Sequence, residues 1–115
     1  MSPVLVFSTA GSMEEATRIA EAVVGERLAA CVTVVPGVRS VYRWQGRVET
    51  AEEVLLVLKT TAPRLEALAA RVRALHSYQV PEVVAVPITG GWPPYLAWLV
   101  EEVATPAAPE GGAAP

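Results

Sequence analysis

The chain has 115 residues and a mass of 12.2 kDa, is 52% hydrophobic and 18% charged, and carries a formal charge of −3 at pH 7. That is material for one domain, apolar enough to build a core and too sparsely charged to stay disordered. The acidic balance lacks the basic stripe that nucleic-acid binding needs, and a single cysteine, Cys31, excludes a disulfide framework or a four-cysteine zinc site within one chain.

The first fifteen or so residues show no basic n-region, and their apolar stretch runs only from Val4 to Phe7, which does not read as a signal peptide. The longest apolar run elsewhere, Val80 to Ile88, is broken by Pro81, Glu82 and Pro87 and falls far short of the ~20 residues of a membrane span. These features predict a soluble cytoplasmic protein, with neither nucleic acid nor a membrane as partner.

Pro3 to Thr9 is rich in β-branched residues and predicts a buried strand. Ser12 reads as an N-cap with Glu15 placed to close a capping box, and Ala16, Ile19, Ala20, Val23 and Val24 form one apolar helix face ending near Arg27. From Ala30 to Trp44 the pattern alternates, interrupted by Pro36-Gly37, which marks a bulge because proline cannot donate to a ladder. Gln45-Gly46 predicts a turn, and Arg47 to Thr60 a third strand. Thr61 is a candidate N-cap for a second helix, with Pro63 in its first turn and Leu65, Leu68, Val72 and Leu75 on one face. Glu82 to Thr89 predicts a fourth strand stopped by Gly90-Gly91, and Pro93 or Pro94 opens a last helix through Val103. Residues 1–103 then form the domain, and 104–115, almost all Ala, Pro and Gly, read as a disordered tail.

This order, β-α-β twice and an extra helix, predicts an α+β ferredoxin-like split βαβ fold with a four-stranded antiparallel sheet. Right-handed crossovers place both long helices on one sheet face. The second and third strands are exceptional, since about fifteen residues at ~3.3 Å each span ~50 Å if unbroken. Two helices cannot cover such a hairpin. Its outer part carries Val38, Val41, Tyr42 and Trp44, which predicts pairing with another copy of the chain.

Four blocks in order, ERLAACVTVVPGVRSVYRWQG (Glu26 to Gly46), VLLVLKTT (Val54 to Thr61), HSYQVPEVV (His76 to Val84) and YLAWL (Tyr95 to Leu99), closely resemble the CutA divalent-cation tolerance proteins. The resemblance implies a cytoplasmic, very stable homotrimer of ferredoxin-like subunits, similar in architecture to the PII signalling proteins. It also implies a link to tolerance of copper and other divalent metals, no required cofactor and no catalysis. Ser8 and Leu75 stand where some bacterial members carry a cysteine and the first of two adjacent histidines. Ser77 replaces a common proline, and Gly91-Trp92-Pro93-Pro94 enlarges the loop before the last helix.

Cys31, in an alternating strand, suits a small buried hydrophobe or a thiolate for Cu(I) or another soft metal, with His76 as partner. His76 closes the second helix, where an imidazolium is favoured by the macrodipole and capping is the default role; the alternative is a metal ligand, completed by groups that trimer symmetry brings together. Tyr42, Trp44, Tyr78, Tyr95 and Trp98 suit an interface. Their sharper reading is a cleft between subunits, with Lys59 and a carboxylate from Glu49, Glu52 or Glu53 aimed at a small anionic or metal-bearing ligand. Glu52 and Glu53 are adjacent on a strand and face opposite ways, so they form no acid/base pair, and no nucleophile motif is present. Two functions follow: a homotrimeric tolerance protein that binds copper or another divalent cation through Cys31 and His76, or a PII-like trimeric sensor or scaffold that takes a small ligand or protein partner between subunits. Neither is an enzyme.

Overall fold

The structure, a computed structural model, describes residues 2–105. Its elements are β1 (Pro3–Ala10), α1 (Met13–Gly25), β2 (Cys31–Trp44), β3 (Arg47–Thr61), a 3-10 turn (Ala62–Arg64), α2 (Leu65–Leu75), β4 (Val84–Pro87) and α3 (Pro93–Ala104). The sheet order is β2-β3-β1-β4, and every neighbouring pair is antiparallel. The expected ferredoxin-like α+β architecture is what forms. The alanine-, proline- and glycine-rich segment beyond Thr105 lies outside the described residues.

Period-two patterning divides the sheet. Val4, Val6, Ser8 and Ala10 of β1 and Val54, Leu56 and Leu58 of β3 are buried on one face. Against them lie Ala16, Ile19, Ala20 and Val23 of α1 and Leu68 and Val72 of α2. A fully buried aliphatic chain of this size contributes roughly 1.5–3 kcal/mol, so this layer supplies most of the driving force for folding. Val24 departs from the predicted face and is 39% exposed, because it sits about 100° around the helix from Val23.

The local signals resolve in detail. Ser12 Oγ accepts the Glu15 N–H at 3.1 Å, a true N-cap. At the other end α1 stops at Gly25, before the expected Arg27. Arg27 adopts φ 59°, and the Leu28 N–H reaches the Val23 carbonyl while the Arg27 N–H reaches that of Val24, a Schellman closure built on arginine rather than glycine. Thr61 does not cap α2: the chain passes first through the 3-10 turn, and Thr61 Oγ1 is buried without a partner. The fourth strand is shorter than Glu82–Thr89, pairing only from Val84 to Pro87. Beyond Pro87 one further backbone bond, from the Ile88 N–H to the Pro3 carbonyl at 3.0 Å, still ties the chain to β1. The last helix extends one residue past Val103.

The hairpin is as long as the pattern requires. A register shift falls between Val35 and Val38, at Pro36-Gly37, with Gly37 at φ 75°. Gln45 and Gly46 turn it with φ of 50° and 79°, the two left-handed positions of a type I′ turn. β1 covers β3 only from Val54 to Thr61, so Arg47–Glu53 pairs with β2 alone and projects ~23 Å past the sheet. The radius of gyration, 15.1 Å, accordingly exceeds the ~13 Å of a compact chain of this size.

The second sheet face is only partly covered. Leu99 and Val103 of α3 are buried beside Ala30, with Ile88 packed on them. Elsewhere Leu5, Phe7, Leu55 and Val57 stay half-buried, and Val35, Val84 and Val86 are exposed. Among the described residues no helix is long and apolar enough to cross a membrane.

Candidate functional site

Where α2 ends, the chain crosses the far end of β1 and meets the base of the hairpin. His76 is the C-cap of α2, and its ring is fully buried. Nε2 lies 2.7 Å from the Thr9 carbonyl, and the Tyr78 N–H donates to Nδ1 at 3.1 Å. Only the neutral ring with its proton on Nε2 satisfies both bonds. The imidazole therefore has no lone pair to offer a metal in this conformation.

Glu15 holds the other side of the junction. Rather than folding back to complete a capping box, its carboxylate accepts the Ser77 N–H at 2.7 Å and the Ser77 hydroxyl at 3.0 Å, and stands 3.5 Å from His76 Nδ1. Burial raises its pKa, but the two Ser77 donors, with the Gly11 backbone, outweigh that and hold the carboxyl below its ordinary value. Tyr78 next donates to Glu53 Oε2 at 2.6 Å. Burial first, then Glu53, Glu15 and Tyr42, push its phenol far up, so Tyr78 is a fixed donor at any physiological pH.

Between this segment and the projecting hairpin opens a cleft of ≈ 670 Å³, lined by Thr9 of β1, Ser40, Val41, Tyr42, Trp44 and Glu53 of the hairpin, and residues 78–82. The register puts Val38 opposite Glu53 and Tyr42 opposite Glu49, so the bulge has moved the even-numbered residues of β2 onto the face that carries Glu53. Glu53 is 8% exposed. Its neighbour Glu52 faces the opposite way, largely exposed, 3.8 Å from Arg39.

A second cluster lies at the opposite end of the sheet. Cys31 pairs in register with Lys59, whose Nζ donates to Sγ at 3.5 Å, and Tyr95 Oη is 3.8 Å from the same sulfur. Tyr95 and Trp98 stack along α3 with ring centroids 5.4 Å apart. Burial, and then the hydrogen bond and charge of Cys31, raise the Tyr95 phenol against the opposing pull of Lys59.

The residues read from the sequence as one cleft thus fall into two groups within a protomer. Tyr42, Trp44 and Tyr78 meet Glu53, whereas Lys59, Tyr95 and Trp98 meet Cys31, and Glu52 joins neither. Nor do Cys31 and His76 approach each other. Lys59, opposite Cys31, faces Leu5, while His76 binds the carbonyl of Thr9, about 13 Å further along β1. Among the described residues no three His, Cys, Asp or Glu side chains converge as metal ligands, so one protomer does not fit a closed metal site. The sequence reading missed Ser77 as partner to Glu15. Ser12-x-x-Glu15 signals a helix start, and nothing in the pattern shows its carboxylate turning to a residue sixty-two positions away.

A four-stranded split βαβ sheet with an overlong β2–β3 hairpin and an added helix defines a ferredoxin-like α+β protein. Within that class, the CutA1 divalent ion tolerance protein family model matches residues 4–102, and this chain belongs to that family. It is 54% identical over 97 residues to a Thermus thermophilus protein named divalent-cation tolerance protein CutA, covering 84% of this chain and 94% of that one. The chloroplastic CutA of Arabidopsis thaliana is 48% identical over 96 residues, and there the match spans 84% of this chain but only 53% of the relative, about half its length. The crystal structure of CutA from Xylella fastidiosa superposes with a TM-score of 0.87 at 45% identity, covering 90% of this chain and 99% of that chain.

Proposed function

We propose that the chain is a divalent-cation tolerance protein that works as a homotrimer in the cytoplasm and takes up copper or another divalent or soft cation. The observation that carries this reading is the near full-length match to the Thermus thermophilus tolerance protein. Support for assembly comes from the surface a protomer leaves bare. Val41 and Val48 are 64% and 67% exposed on the projecting hairpin, and Val35, Val84 and Val86 line an open sheet face. A second copy is the economical cover for both.

Cys31 is the soft donor of each protomer, half-buried and therefore reachable. One thiol with an ammonium beside it does not complete a coordination shell, so cation binding draws on groups from more than one copy. His76 joins only where its ring leaves Thr9 and Tyr78. Calorimetric titration of the assembled protein with copper, alongside Cys31→Ser and His76→Ala, and sedimentation equilibrium test the reading together. The expected mass is about three times the 12.2 kDa chain, and copper binding is expected to vanish in Cys31→Ser. A monomer at micromolar concentration refutes the assembly; unchanged copper binding in Cys31→Ser refutes the ligand.

One observation favours a second role, that of a sensor or scaffold. The cleft beside Glu53 is large enough for a small molecule and carries three aromatic rings.

A further inference from the structure

We infer that Glu53 of one protomer pairs with Lys59 of a second copy, and that this ion pair closes the two separate clusters of the protomer into one site between subunits. The inference rests on the assembly proposed above and names the residue that the second copy contributes. Glu53 and Lys59 stand six positions apart on β3, about 20 Å, and alternation places both on the open sheet face with Leu55 and Val57. A chain therefore cannot join its own two groups. Glu53 is more than nine-tenths buried within a single protomer, a burial that further copies only increase, and its hydrogen-bond partner there is the Tyr78 hydroxyl on Oε2. Lys59, half-buried, donates to the Cys31 thiol, and among the described residues it forms no ion pair with a carboxylate of its own chain. A second copy laid on this face takes both charges further out of water, which is costly for each unless they meet.

The distribution of positive charge selects Lys59. Of the nine Lys and Arg side chains, Arg18 lies on α1 and Arg71 and Arg73 on α2, the helices that cover the other sheet face. Arg27 and Arg64 hold the last carbonyls of α3, those of Glu102, Val103 and Ala104. Past the bulge, alternation turns Arg39 and Arg43 to the side of Glu52, away from Glu53. β1, β4 and α3 contain no Lys or Arg. That leaves Lys59 and Arg47 on the open face, and Arg47 stands at the hairpin tip, largely exposed, 3.8 Å from Glu49. A heterologous contact, in which the Glu53 end of one copy meets the Lys59 end of the next, uses each group once and closes into a ring. It brings the cleft beside Glu53 up to the Cys31 cluster of the neighbouring copy.

Subunit exchange between unlabelled and isotope-labelled copies of the full chain, followed by native mass spectrometry, tests the pairing, because it reads dissociation even where no monomer accumulates. Lys59→Met and Glu53→Gln are each expected to exchange about tenfold or more faster, since each leaves a buried charge alone. The double variant is expected to return to within severalfold of the unaltered rate, a recovery that two independent structural roles do not give. Arg47→Met is expected to exchange as the unaltered chain does. A double variant as fast as the singles or faster overturns the pairing, and so does an unaltered rate in either single. Recovery of Glu53→Gln by Arg47→Met in place of Lys59→Met moves the counter-charge to the hairpin tip and also overturns it. An unaltered chain that is monomeric in the same spectra overturns the assembly itself, and this pairing with it, before any variant is compared. Should Glu53→Gln fail to fold, Lys59→Met and Lys59→Arg decide: the first is expected to exchange about tenfold faster and the second at the unaltered rate, and equal rates in the two overturn the pairing.

Discussion

Removing the Glu15 carboxylate is expected to loosen the junction of three elements at once. The group is nearly buried, and it accepts two hydrogen bonds from Ser77 as an anion. Bonds to a charged acceptor are worth about 1.5–3 kcal/mol each, and because Ser77 itself is exposed its freed donors regain water, so the lower end applies to both. Glu15→Ala is therefore expected to cost about 2–3 kcal/mol at pH 7. Glu15→Gln keeps the volume and one acceptor and is expected to cost less. The pH dependence is the sharper test. Because the folded carboxyl lies below its unfolded value, its contribution is fully present above about pH 4.5 and is lost as pH falls through the lower, folded value. Urea unfolding of wild type and Glu15→Gln, at one protein concentration because assembly adds to stability, should show their difference shrinking from pH 7 towards pH 3. Taking the difference cancels the other carboxylates, such as Glu26 paired with Arg71. An undiminished gap at pH 3, or a loss below about 0.5 kcal/mol in Glu15→Ala, refutes the account of the junction.

Leu58, fully buried between β3 and the helices, is expected to cost about 2–5 kcal/mol as Leu58→Ala by urea unfolding; a cost under 1 kcal/mol would show that the layer collapses around the void. Ser8 Oγ is buried with no hydrogen-bond partner, so Ser8→Ala is expected to gain about 1 kcal/mol, and a loss would reveal a partner such as a buried water. Gly46→Val at φ 79° is expected to destabilise by about 1–2 kcal/mol although nothing lies within 4 Å, and an unchanged melting temperature would mean the hairpin end takes another turn.

The fold was legible wherever the hydrophobic period and the punctuation agreed. Pro36-Gly37 and Gln45-Gly46 announced their bulge and turn because few residues accept those backbone angles. Val54, Leu56 and Leu58 announced a one-sided strand by alternation. What escaped were contacts made by polar groups across long separations. Thr61 looks like a cap, but its hydroxyl is turned inward. His76 sits where an imidazolium is favoured, yet its ring is consumed by Thr9 and Tyr78. Within one protomer the aromatic set expected to line a cleft between subunits is divided by register: Tyr42 and Lys59 lie on strands whose pairing, and not whose composition, decides that they stand at opposite ends of the sheet. A pattern tells which face a residue takes, and only the pairing tells how far along the ladder it falls.

The position of β1 in the sheet carries a consequence for synthesis. Both of its neighbours, β3 from Val54 and β4 from Val84, come later in the chain, so the strand made first has no hydrogen-bonding partner until residues 54–61 exist and keeps one open edge until β4 is complete. The α1 face stays only partly covered for the same interval, since besides β1 it packs on β2, β3 and α2, all made later. Pairings so distant in sequence raise the loop-closure cost and slow folding. Once residues 47–61 have been made, β2 and β3 can close their hairpin, and the older strand must then slot in against β3.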